Sequence, residues 1–328
     1  MRNPVLLLVF ASLTCAAQAA PQAAADSGTT ARPRIIGISN ISVYASDAGK
    51  TEQFYVHQIG LKKAADPEHP NGVRYYVNQE QFVEVLPLPA DAGVNRLDHL
   101  GYLTADADGL RRYLGAHGVT VPDKVEQGSD GSAWFYVKDP EENKIEFVQP
   151  AAKLLAAKNT AALYQIADAD PIGRRMIHVG MLVRDRAKED SFYRGILGFR
   201  PYWHGGMHED RTDWVSQQVP DGHDWLEYML TSGPSGSGLP QSISQQQLGV
   251  LNHFSLGVGN MEQTVTKLYS EDRLGTDPPR PQIGRDGKWQ FNAYDPDKTR
   301  VELMEFSAAA KPCCSEFTAS NPTPDGQP

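Results

Sequence analysis

Cysteine is nearly absent: 3 residues in 328, at positions 15, 313 and 314. A scaffold held by disulfides needs several spaced pairs, so that class is excluded. Cys313 and Cys314 are adjacent in a tail rich in Ala, Ser and Pro, which is no metal-binding pattern. Basic charge is scarce as well. Lys and Arg number 31 against 40 Asp and Glu, a formal net charge of −9. With no long basic run, nucleic acid and anionic membrane surfaces are excluded as partners, because both need a basic face. The apolar run Val5 to Leu13 is too short to span a bilayer, which takes about 20 residues. What remains is 40% hydrophobic and 22% charged residues, the composition of a globular chain with a sizeable core and about two domains.

The N-terminus has the layout of an export signal: Arg2, the apolar run, then Ala17-Gln18-Ala19 as a cleavage site. Residues 1–19 are therefore expected to be a cleaved signal peptide, placing a secreted or periplasmic protein. Ser12-Leu13-Thr14 before Cys15 makes a poor lipobox, so the mature chain is expected without membrane insertion. Residues 20–33 read as a flexible leader and 308–328 as a disordered tail.

The chain contains an internal repeat. Tyr294-Asp295-Pro296 leads into Val301-Glu302-Leu303, and Val137-Lys138-Asp139-Pro140 leads into Ile145-Glu146-Phe147. Asp-Pro is turn chemistry, and the strand that follows places one carboxylate between two apolar neighbours. Seven residues separate Asp from Glu in both copies (302 − 295 and 146 − 139). Strand alternation then sends Val301 and Leu303 to one face and Glu302 to the other. A second shared signature is Phe54-Tyr55 with Ile59-Gly60-Leu61, matched by Phe192-Tyr193 with Leu197-Gly198-Phe199.

Periodicity divides the chain into four similar units, each strand–helix–strand–strand–strand over about 55–60 residues. They group as 34–150 and 173–307, joined by a linker at 151–172 that reads as helical over 152–167. A long loop is expected over the Gly-, Ser-, Pro- and Gln-rich stretch 232–248. The fold class is α+β. Runs of consecutive strands disfavour a doubly wound parallel sheet, in which helices alternate with single strands.

Four residues of the second half hold equivalent strand positions: His178, Glu227, His253 and Glu302. The two His-to-Glu spacings are both 49 (227 − 178 and 302 − 253). If the units pair about a pseudo-twofold axis, these side chains converge on a concave face. Two imidazoles and two carboxylates suit a divalent transition metal: Fe, Ni, Zn, Mn or Co. A solvated face is the bland alternative for any one of them, but matched spacings at repeat positions disfavour it. The first half aligns Asn40, Glu84, His99 and Glu146 there, and a neutral amide is a poorer ligand than imidazole. A degenerate first site is expected.

These motifs resemble the vicinal oxygen chelate superfamily, which includes glyoxalase I, bleomycin-resistance proteins and extradiol dioxygenases. The resemblance covers about residues 34–307. It implies four βαβββ modules forming two tandem domains, and it carries metal-ligand roles onto His178, Glu227, His253 and Glu302. A glyoxalase-like set uses all four and implies lyase or isomerase chemistry, with Glu227 or Glu302 moving a proton on a small substrate that chelates through vicinal oxygens. An extradiol dioxygenase would use His178, His253 and Glu302 on Fe(II), with His223 as a distal acid–base group. Asn292 stands where the dioxygenase signature has Tyr, and Glu227 would crowd an open position. Both features favour the glyoxalase-like reading. A binding or resistance protein without turnover is the third class, with Trp203, Trp214, Trp225 and Trp289 as pocket candidates. Monomer and homodimer are both compatible with the sequence.

Overall fold

A computed structural model describes residues 31–155, 166, 169–230, 243–274 and 280–325. The signal segment 1–19, nearly all of the leader and most of the helix expected over 152–167 lie outside those residues. Among them, no helix is long and apolar enough to cross a membrane.

Most of the strands form where branched and aromatic residues cluster. In the first half they are β1 (Ile35–Ala45), β2 (Lys62–Ala65), β3 (Val73–Tyr76), β4 (Phe82–Pro87), β5 (Leu97–Thr104), β6 (Glu126–Gln127), β7 (Ala133–Lys138) and β8 (Lys144–Gln149). In the second they are β9 (Met176–Val183), β10 (Arg200–Gly205), β11 (Trp214–Gln218), β12 (Trp225–Leu230), β13 (His253–Val258), β14 (Gln282–Ile283), β15 (Trp289–Tyr294) and β16 (Arg300–Glu305). They make two eight-stranded sheets of identical order, β2-β3-β4-β1-β5-β8-β7-β6 and β10-β11-β12-β9-β13-β16-β15-β14. At the centre of each, the first strands of two modules pair antiparallel, β1 with β5 and β9 with β13. Each also pairs parallel with the last strand of its own module, as β9 does with β12 and β13 with β16. The fold is therefore α+β, two tandem pairs of βαβββ modules.

Alternation along the strands makes two environments. Val179, Leu226, Phe254, Val301 and Leu303 join the main core, while Trp203, Trp225 and Met304 belong to a smaller cluster with Tyr202. The main core is covered by the module helices. Helix α1 (Ala48–Glu52), capped by Asp47, runs on into a π-helical turn at Gln53–Gln58. Helix α2 (Ala107–Ala116) covers the second module, and α3 (Ala152–Leu155) opens the linker. Helix α4 (Arg186–Asp190) repeats the α1 arrangement, with its π turn at Ser191–Ile196. Both π turns contain the Phe-Tyr pair of the repeat.

These tyrosines explain the Asp-Pro motif. Tyr55 donates to Asp295 Oδ2 at 3.0 Å, and Tyr193 donates to Asp139 Oδ2 at 3.3 Å. Each half thus supplies the phenol that the other half's turn carboxylate accepts. The same exchange continues beside these turns: Asp297 accepts from the Ser46 amide and from Arg96, and Glu141 accepts from the amides of Arg184 and Asp185. Arg32–Pro328 is one unit by its contacts.

Two expectations are corrected. Part of the expected loop 232–248 is helical: α5 (Gln245–Leu251) begins at a capping box of Ser244 and Gln247, and α6 (Met261–Ser270) follows β13. The tail is ordered through residue 325, because it lies along β10, the edge strand of the second sheet. Thr318 N bonds Tyr202 O at 2.9 Å, Phe317 packs on Tyr202, Gln218 donates to Ser320 O and Arg175 to Thr323 O. Covering an edge satisfies its free backbone groups, a drive that composition does not reveal. In this tail Cys313 and Cys314 are bonded to each other.

Candidate metal centre

His178 comes from β9, Glu227 from β12, His253 from β13 and Glu302 from β16, the four strands about the centre line of the second sheet. The topology brings all four together. His178 Nε2 lies 3.1 Å from His253 Nε2 and 3.1 Å from Glu302 Oε2. His253 Nε2 lies 3.4 Å from Glu227 Oε2 and 3.9 Å from Glu302 Oε2. Bonds of about 2.1 Å from one ion, separated by angles of roughly 90–140°, give donor spacings of this size. The donor atoms of His178, His253 and Glu302 all lie within 4.8 Å of one another, a set that does not include Glu227. Glu227 stands at its edge, its side chain 14% exposed against 3% for Glu302.

Local structure prepares the donors. His253 Nδ1–H donates to Leu251 O at 3.0 Å, which leaves the Nε2 lone pair directed at the cluster. Burial, and then the nearby Arg300 charge, push His253 down to about 4, so the ring is neutral at neutral pH. Burial opposes ionisation of Glu302, yet Arg300 and His178 outweigh it and bring the carboxyl down to about 2. Glu227 is held below the ordinary range against burial, through His253 and His178. A neutral His253 beside ionised Glu302 and Glu227 is in the protonation state that binding a divalent transition metal needs. The donor set fits such an ion. Gly180 pairs with His253 in register, and a Cβ there would lie 2.0 Å from His253 Cε1. Only glycine admits the ring.

The first half has been rebuilt around hydrogen bonds. Asn40 Nδ2 donates to Glu146 Oε2 at 2.7 Å, His69 Nδ1 lies 2.9 Å from Glu84, and Ser42 also bonds Glu84. Burial would lower His99, but Asp98 at 2.6 Å and Glu146 at 3.3 Å raise it to about 9. His99 is therefore a cation where His253 is neutral. Asp66, Glu68, His69 and Glu84 also bring donor atoms close together. Arg74, however, already pairs with Asp66 at 3.1 Å and Glu68 at 2.9 Å.

The halves differ in what fills the concave face. Arg74 opposes Glu84 and Tyr136 opposes Glu146. In the second half Ser216 opposes Glu227 and Asn292 opposes Glu302. Two small residues replace two large ones, and a cavity of about 350 Å³ opens beside the donors. Its lining includes Glu227, Glu302, Arg300 and Asn292, with walls of Trp203, Trp214, Trp225 and Phe317. Aligning the repeats pairs Tyr136 with Asn292, a signal in the sequence that marks the open half. Among the other candidates, Trp289 lies outside this lining. His223 is not brought to the centre either: it sits in the β11–β12 turn, lowered by burial and by Arg175 and Arg200. Its neighbour Asp224 is tied to Arg175 at 2.7 Å and to the Ile38 amide of the first half.

A family profile described as Glyoxalase/Bleomycin resistance protein/Dioxygenase superfamily matches residues 37–147 and 175–303. The chain belongs to this superfamily. Both matched segments end within the Asp-Pro-to-Glu strand of their half, so the profile sees the duplication too. Solved structures with the same fold include homoprotocatechuate 2,3-dioxygenase from Brevibacterium fuscum. A mutant of that enzyme is 17% identical with a TM-score of 0.61, covering 89% of this chain and 75% of that one. The enzyme from Arthrobacter globiformis is 14% identical with a TM-score of 0.56, covering 84% and 80%. At this identity the likeness is one of fold. No functionally curated protein matches the sequence.

Proposed function

We propose that this superfamily member is a metal-dependent enzyme acting on a small substrate that chelates through vicinal oxygens, and that its reaction is glyoxalase-like proton transfer. The observation that supports this most directly is the position of Glu227. Its carboxylate adjoins the three mutually close donors, lines the cavity and is ionised. His178, His253 and Glu302 would hold the ion. A bound divalent cation would supply Lewis-acid polarisation of the substrate oxygens, acidifying the adjacent C–H. Glu227 then accepts the proton from that carbon and returns it to the neighbouring one. Trp203 and Trp225 wall the cavity against water, and Ser216 and Asn292 leave room for the substrate.

The test is Glu227→Gln, which keeps the volume and an oxygen donor but removes the base. Turnover should fall about 10²–10⁴-fold with metal content retained. A near-wild-type rate at full metal occupancy would falsify the proton-transfer role.

One observation favours a second reading: the closely spaced donors are two His and one carboxylate, the set of a non-haem Fe(II) site. Oxygen consumption with Fe(II) and a catechol panel separates the two chemistries. Retained metal without turnover of any chelating compound would instead favour a binding protein. The reading also includes export through residues 1–19, which N-terminal sequencing of the mature protein checks.

A further inference from the structure

The two halves also differ in one pair of charges beside the centre. In the first half, Lys144 stands two residues before Glu146, and its Nζ pairs with Asp98 at 3.0 Å. The same place before Glu302 is Arg300, and Asp98, which precedes His99, is matched by Asn252 before His253. The cation has been kept and its counter-ion has become a neutral amide. Asn252 is fully engaged elsewhere: its Oδ1 accepts from the Leu182 amide at 3.0 Å and its Nδ2 donates to Asn95 at 3.1 Å.

Arg300 is consequently left facing the cavity. It lines the wall beside Glu302, and its buried Nε has no hydrogen-bond partner among the described residues. Two more buried donors in the same lining, Trp203 Nε1 and Trp225 Nε1, are also without partners among the described residues. Unpaired buried donors are costly, and a guanidinium prefers a planar oxyanion. A volume of about 350 Å³ with indole walls suits a flat body of about one ring.

We propose that Arg300 is an anion-docking residue, and that the substrate class is a small planar compound carrying a carboxylate or similar oxyanion in addition to its chelating oxygens. This rests on the metal-enzyme reading for the role of the second oxygen pair, but the anion subsite stands on the cavity alone.

The experiment uses the full-length, metal-loaded protein and two probes of equal shape, benzoate and benzamide. Binding is followed by quenching of tryptophan fluorescence, since three tryptophans line the cavity. Benzoate should bind about tenfold or more tightly than benzamide, and Arg300→Gln should bring the ratio to about one. Arg300→Met serves as a second neutral variant should the first fold poorly. An unchanged preference in either folded variant, or a ratio near one in the wild type, overturns the proposal. Metal content is measured on the same samples. Protein that fails to hold any divalent metal yet keeps an Arg300-dependent benzoate preference would refute the enzyme reading and sustain the anion subsite.

Discussion

Replacing Tyr55 by Phe removes a single oxygen from the bond that ties the first half to the Asp-Pro turn of the second. Asp295 Oδ1 would still accept from the Thr299 amide at 2.8 Å, but Oδ2 would lose its 3.0 Å donor in a buried site. Burial raises the Asp295 carboxyl to about 7. Its folded value lies above that of an unfolded Asp, so this group's contribution to stability is greatest below about pH 4 and declines as pH rises through about 7. The Tyr55 bond opposes that rise, because it favours the ionised form. Its loss therefore costs most where Asp295 is charged. A hydrogen bond to a charged group is worth about 1.5–3 kcal/mol, and one to a neutral group about 0.5–1.5 kcal/mol. The unit Arg32–Pro328 has 297 residues (328 − 31). At about 2.1 cal/mol/K per residue its unfolding entropy is about 0.6 kcal/mol/K. Tyr55→Phe should then lower Tm by about 2–5 °C at pH 8 and by about 1–2 °C at pH 5. Differential scanning calorimetry at both pH values is the assay, with metal content unchanged as a control. A larger loss at pH 5, or none at either pH, would refute the account of the brace.

Other outcomes follow from the centre itself. Gly180→Ala should push the His253 ring aside and weaken metal binding by at least the roughly 10–100-fold typical of disturbed ligand support, read by chelator competition. The chain should carry one metal ion, not two. His178→Ala and Glu302→Ala should reduce it to substoichiometric levels in elemental analysis, while His99→Ala should leave it in place.

Much of the centre was legible in the sequence because strand alternation is a strict rule. Once the repeat was aligned, His178, Glu227, His253 and Glu302 had to share one face, and the matched spacings put them on matched strands. His223 shows where that rule stops. Its position four residues before Glu227 predicts the same face only if the strand continues, and β12 begins at Trp225. The partners of Tyr55 and Tyr193 were not legible either. Periodicity says that a helix covers a sheet, but not that its phenol reaches into the opposite half. The open cavity was encoded in Ser216 and Asn292, whose meaning emerges only beside Arg74 and Tyr136. The tail misled because its composition is that of a solvated segment, whereas its order comes from the backbone edge of β10.

The reciprocal Tyr–Asp exchange has a consequence for how the two sites could diverge. Two identical subunits meeting through such an exchange would be held together by mass action and would share one sequence, so any change in one site would appear in both. Here the partners are covalently joined, and dilution cannot part them. One copy is then free to become a hydrogen-bonded strut, with Asn40 and a charged His99, while the other keeps a neutral His253. Tethering turned a symmetric contact into a division of labour.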